Sequence, residues 1–164
     1  MKLSIRQLTL NAMIAAIYVV ITVFLPSYGP LQLRLTEMFA HLPMFNKKYS
    51  VGLILGVAIA NIRSEFGIYD VFFGTLHTAL SLLIVFFIVK KSDSLLKKMI
   101  INTAVFTGMS FILALMVAFL TNEMIFFWSI YASFAASIAI VMAVTIPVIL
   151  FLDKHIHFDQ TMER

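Results

Sequence analysis

No cysteine occurs in the 164 residues, so neither a disulfide nor a thiolate metal site is available, and the redox compartment leaves no mark on the chain. Charge is scarce as well. Asp, Glu, Lys and Arg make up 12% of the sequence, about half the share usual in a soluble domain. With 62% hydrophobic residues and a mean hydropathy of +1.01, too little polar surface remains to face water on all sides, which excludes an ordinary soluble fold. Enzyme signatures are missing too. There is no Walker A sequence, paired metal-binding motif, nucleophile elbow or helical HExxH, so ATP hydrolysis and ordinary hydrolytic chemistry have no apparatus here. The four histidines are scattered, with His155 and His157 on a polar tail, and suggest no metal set. No catalytic residue, metal or cofactor is expected.

What is present is a series of long apolar runs. Residues 8–25, 68–89, 99–120 and 126–152 each suffice to cross a bilayer, the last with Pro147 as a kink point. The first run is too long for a signal-peptide core and lacks a small-residue cleavage pattern, so it reads as a retained helix. Residues 30–66 are harder, because Lys47 and Lys48 split them into two short pieces. A re-entrant hairpin from the outer face would hold both lysines deep in the membrane, whereas two crossings put them at the cytoplasmic surface. The expectation is therefore a single all-α domain, residues 1–164, built as a compact bundle of six membrane helices at about 7–26, 33–46, 49–64, 68–90, 98–121 and 126–152.

With both termini inside, ten of the twelve lysines and arginines are cytoplasmic, Lys2, Arg6 and Arg164 among them, and only Arg34 and Arg63 lie near the outer face. This asymmetry fits the positive-inside rule, so the basic excess marks topology and not a nucleic-acid partner. Glu37, Glu65, Asp70 and Glu123 fall on the outer side. Charged groups at membrane depth are costly and usually line a pathway or site, so an outward-facing pocket is expected.

Several groupings carry that expectation. Arg34 and Glu37, at i and i+3, share a helix face; they either neutralise each other as a salt bridge or contact a polar ligand. Asp70, Gly74, His77 and Thr78 lie near one stripe of the fourth helix, where Gly74 leaves room beside the acid for a ligand or a neighbouring helix. His77 reads as an interhelical hydrogen-bond partner in preference to a catalytic base. Gly52, Gly56 and Ala60 form a small-residue strip for close helix approach, and the strip delivers Asn61, which can donate and accept, to the end nearest Arg34 and Asp70. Trp128 and Tyr131 open the last helix, as an aromatic belt or as a stacking surface for a planar ligand. Glu123, just before them, is a candidate for a ligand amine or ring N–H. Ala12 and Ala16, with Ala15 beside them, make a second small-residue face, for bundle packing or for a partner subunit. The loop Lys90-Lys-Ser-Asp-Ser-Leu-Leu-Lys-Lys98 reads as a solvated cytoplasmic connection that could also meet a partner.

The run Ser27-Tyr-Gly-Pro-Leu-Gln-Leu-Arg-Leu-Thr-Glu37, the Gly52-x-x-x-Gly56-x-x-x-Ala60-Asn61 strip and Gly67-Ile-Tyr-Asp-Val-Phe-Phe-Gly-Thr75 together resemble the QueT family of queuosine-precursor transporters. That resemblance implies a substrate-binding S component of an energy-coupling factor (ECF) importer in a bacterial cytoplasmic membrane. It also implies partners: one transmembrane coupling subunit and two cytoplasmic ATPases. The Ala12-x-x-x-Ala16 pattern matches the first-helix motif through which S components meet the coupling subunit. A 7-deazaguanine such as 7-aminomethyl-7-deazaguanine would offer its ring N–H and amine to Glu37 or Asp70, its carbonyl to Asn61 or Arg34, and its faces to aromatic rings. A cationic aminomethyl group would seek Glu123 or Trp128. The competing readings are an S component for another vitamin or nucleobase, a stand-alone proton-coupled carrier and, remotely, an intramembrane enzyme.

Overall fold

A computed structural model describes residues 3–25 and 33–163. Residues 27–32 of the first motif, Lys2 and Arg164 lie outside the described residues. All regular structure among those described is helical: α1 Ile5–Phe24, α2 Ser50–Ala60, α3 Ile68–Ile88, α4 Leu95–Met109, α5 Phe111–Leu120, α6 Phe127–Ile156 and α7 Phe158–Glu163, with a 3-10 segment at Leu35–Met44 and short 3-10 turns between helices. Four helical stretches are long and apolar enough to cross a membrane: Ile5–Phe24, Ile68–Lys91, Leu95–Leu120 and Met124–Ile156. Their outer faces carry large apolar side chains in the open, with Phe87 85% and Ile125 87% exposed, far beyond what water tolerates in contiguous patches.

Local chemistry sets the boundaries. Ser4 and Gln7 form a reciprocal capping box that starts α1 two residues before the expected position. The expected fifth helix, 98–121, is broken between α4 and α5, where the Ser110 hydroxyl donates to the Thr107 carbonyl at 2.7 Å, a back-bond that bends helices. The sixth helix continues through Pro147 and ends at Ile156, four residues past its expected end, where the cap residue His157 takes the left-handed conformation.

The segment expected as a second helix at 33–46 takes 3-10 form over ten residues. Runs of that length are uncommon because 3-10 hydrogen-bond geometry is poorer than that of the α-helix. This one is held from outside. His41 donates its Nε2–H to the Met142 carbonyl at 3.0 Å, and the Asn102 side-chain amide donates to the Ala40 carbonyl at 2.8 Å. The segment thus lies at the centre of the bundle, bracketed by α4 and α6, with Ala40, His41 and Met44 in the core.

The closest helix pair is α1 with α2. Gly52 donates its N–H to Asn11 Oδ1 at 2.6 Å, and a Cβ on Gly52 would meet the Asn11 backbone at 2.6 Å. The expected small-residue strip therefore does its work against α1. The buried side of α1 is Gln7, Asn11, Ala15 and Tyr18, while Ala12 and Ala16 face outward. The polar tail folds back. Phe158 packs on Phe45 and Tyr49, its carbonyl accepts from the Tyr49 hydroxyl at 2.8 Å, and the Met162 carbonyl accepts from Gln7 Nε2 at 2.9 Å.

Candidate functional site

A cavity of about 320 Å³ lies where the last turn of α1, the start of the 3-10 segment and the end of α2 meet. Thr22, Val23 and Leu25 form one wall, Arg34, Leu35 and Thr36 the second, and residues 60–65, apart from Ile62, the third. The Thr22 and Thr36 hydroxyls stand 3.4 Å apart across the first two walls. This end of the bundle is opposite the lysine clusters, since Lys47 meets Phe86 near the far end of α3. The volume sits at the lower end of the range for small-molecule pockets, about 300–1,000 Å³, and suits one compact polar ring system.

Of the residues singled out from the sequence, Arg34 and Asn61 are brought together in this cavity. Arg34 also borders a small adjoining hollow with Glu37, Leu113, Phe134, Ser137 and Ile138, so this residue forms part of the partition between the two spaces. No ion pair closes between Arg34 and Glu37 among the described residues. The two groups are thus not in salt-bridge contact, although their charges still attract one another through space. Arg34 sits at the extended N-cap position of the 3-10 segment and not on a helix face shared with Glu37.

Asp70 stands behind Asn61. Its carboxylate accepts from the Phe66 N–H at 3.1 Å, and its backbone carbonyl accepts from Asn61 Nδ2 at 3.2 Å. A carboxylate in the first turn of α3 is favoured by the helix dipole, so Asp70 fastens the start of that helix. The room beside Gly74 is filled by Asn61, whose Nδ2 a Cβ on Gly74 would strike. His77 donates Nε2–H to the Phe106 carbonyl at 3.1 Å with its ring edge-on to Phe106, the interhelical bond expected of it.

Glu123, Trp128 and Tyr131 do not line either space. Glu123 is exposed on the turn before α6, Trp128 is 74% exposed, and Tyr131 stacks on Phe127 and directs its hydroxyl to the Gly108 carbonyl at 3.4 Å.

Thr22, Thr36, Arg63, Ser64 and Glu65 complete the polar lining beyond the sequence-based set. Arg63 to Glu65 had a legible signal, a charged run directly after Asn61 at the end of the expected third helix. The two threonines had none. Together the cavity offers two guanidinium groups, one carboxylate, a primary amide and three hydroxyls, a set able to bind both donor and acceptor edges of a polar heterocycle.

The family model described as QueT transporter matches residues 8–154. A curated relative, "Queuosine precursor transporter QueT" of Lactococcus lactis subsp. cremoris (strain MG1363), is 41% identical over 71 residues, covering 41% of this chain and 41% of the relative. The match thus spans well under two thirds of that relative's length. No solved structure matches.

Proposed function

Because the chain belongs to the QueT transporter family, we propose that it is the substrate-binding S subunit of an ATP-driven ECF importer, taking up a queuosine precursor of the 7-deazaguanine class. The observation that carries the substrate reading is the convergence of Arg34 and Asn61 on one cavity of suitable volume, together with the name of the L. lactis relative. In this reading Arg34 and Asn61 bind the carbonyl edge of the base. A carboxylate, Glu65 in the cavity or Glu37 across the Arg34 partition, takes the ring N–H and exocyclic amine, and Asp70 positions Asn61. Glu123, Trp128 and Tyr131 form an interfacial rim outside the pocket.

The accompanying topology has six crossings with both termini cytoplasmic. Ten 3-10 residues extend about 20 Å, at roughly 2.0 Å each, against about 15 Å for the same number in an α-helix. The segment from Leu35 to Met44 therefore reaches further than its length suggests, from the α1 end marked by the Thr22–Thr36 contact to the α3 end marked by Lys47 and Phe86. The outward-facing Ala12 and Ala16 support a docking role for the first helix toward a coupling subunit, which with two ATPases would supply the power this chain lacks.

Calorimetry of the purified protein with 7-aminomethyl-7-deazaguanine, its nitrile analogue, queuine and guanine tests the substrate. Saturable binding of one deazaguanine with much weaker binding of guanine is expected, because guanine has a ring acceptor where the deaza compound has carbon. No binding of any of the four to folded protein would overturn the queuosine reading. Uptake into vesicles containing this chain alone, driven by a pH gradient and indifferent to ATP, would overturn the S-subunit reading.

A further inference from the structure

A second cavity, of about 160 Å³, opens at the lysine-rich end of the bundle, far from the site above. Its apolar floor is Met44, Phe45, Phe86 and Val89, and three cationic side chains, Lys47, Lys90 and Lys98, reach its edge. The Lys47 ammonium stands 5.0 Å from the centroid of the Phe86 ring, a cation–π contact that holds one charge over the hollow. Lys98 is half-buried in the opening turns of α4, which carry no acidic residue. A helix N-terminus is already the positive end of its dipole, so this lysine adds charge where charge is least welcome.

The carboxylates of this end of the molecule do not answer them. Asp153 accepts from the Phe158 N–H at 2.9 Å, Asp159 accepts from Asn46 Nδ2 at 3.0 Å, and Asp93, on the loop between α3 and α4, and Glu163, at the end of α7, are exposed. Among the described residues none of the three cavity lysines forms an ion pair. Immediately beside the hollow, α3 presents Leu83 and Phe87 to the surroundings, and Lys90 follows at the end of its apolar run. The cavity therefore lies at the level where hydrocarbon gives way to headgroups.

We propose that this hollow binds the phosphate of an anionic phospholipid, with Lys47, Lys90 and Lys98 around the phosphate and the acyl chains along the exposed face of α3. Basic pockets between membrane helices are built for such headgroups. Free inorganic phosphate shares the binding chemistry but would leave the apolar face of α3 unused.

The test titrates purified protein in neutral detergent with dioleoylphosphatidylglycerol, dioleoylphosphatidylcholine or inorganic phosphate, reading thermal stability and lipid retention in native mass spectrometry. No transport substrate is present, so the outcome is independent of the functional proposal. Phosphatidylglycerol should bind saturably and raise the melting temperature, and phosphatidylcholine should not. The K47Q/K90Q/K98Q triple variant should lose about a hundredfold in affinity, roughly fivefold per lysine, while K91Q/K154Q should retain wild-type binding. If the triple variant does not fold, the three single variants carry the same test at about fivefold each. Equal responses to the two lipids, an unaffected triple variant, or an equal loss in K91Q/K154Q would overturn the site. Stabilisation by inorganic phosphate to the same extent would make it a small-anion site and overturn the lipid assignment.

Discussion

Asn102 donates its side-chain amide to the carbonyl of Ala40 at 2.8 Å, across 62 residues of chain. In a 3-10 helix that carbonyl would accept from the N–H three residues on, and the residue there is Pro43, which has none. Asn102 replaces the missing bond from a neighbouring helix. The arrangement explains how a ten-residue 3-10 segment persists in the core.

A coupling between the two positions follows. In a P43A background the restored amide can serve Ala40 locally, so N102L should cost less there than in the wild type. A non-additivity of about 1 kcal/mol is expected, read from thermal or detergent unfolding of the four proteins of the cycle. Additive effects would mean that the Asn102 bond does not compensate for the proline.

This relationship also marks the boundary of what the sequence discloses. The long runs announced helices because each buries or exposes its apolar surface whatever its neighbours do, and their composition alone demanded a membrane. The conformation of Leu35–Met44 depends instead on His41 and Asn102 finding carbonyls on or from other helices, which no local pattern encodes. The tail from Phe158 reads as polar because Phe158 and Met162 are the two apolar residues that seat α7 on the bundle. In the candidate site, Arg34 and Asn61 were legible as polar residues at adjacent ends of the two short helices expected there. Asp70 was legible as a site acid but not as the acceptor of the Phe66 amide, since that bond requires the turn before α3 to be closed.

Two glycine substitutions separate the site from general packing. A Cβ on Gly74 would collide with the Asn61 amide, whereas one on Gly108 meets nothing within 4 Å. G74A should therefore displace Asn61 from the Asp70 carbonyl and weaken ligand binding by about tenfold or more, the loss of one to two hydrogen bonds. G108A, inside α4, should leave binding unchanged and raise stability by up to about 1 kcal/mol. Calorimetry and melting of both variants check the pair, and unaltered affinity in G74A would remove Asn61 from the binding scheme.

The two guanidinium groups of the cavity differ in setting, and so should their loss. Arg34 is half-buried between two spaces, whereas Arg63 is exposed. A charge-assisted hydrogen bond in the first setting is worth about 1.5–3 kcal/mol, so R34Q should weaken precursor binding by roughly tenfold to a hundredfold. Water and salt screen the second, and R63Q should change affinity by no more than about threefold, less still at high ionic strength. Titrations of both variants at two salt concentrations make the comparison, and a larger effect at Arg63 would relocate the anchoring contact to the α2 side of the cavity.

The three alanines of α1 sort by the direction they face. Ala15 is buried, and a Cβ on Gly56 would lie 3.2 Å from its Cα, so there is no volume for a larger side chain. A15L should destabilise the protein by about 1–3 kcal/mol through overpacking. Ala12 and Ala16 are exposed, which leaves A12L/A16L room for the larger side chains. Its melting temperature and its calorimetric affinity for precursor should match the wild type. Uptake by cells or by vesicles containing the complete importer should nevertheless be lost, because a small-residue face permits close backbone approach by a partner helix and two leucines would hold that helix away. Normal uptake in A12L/A16L would place the partner contact elsewhere. Loss of precursor binding with an unchanged melting temperature would instead tie this outward face to the site itself.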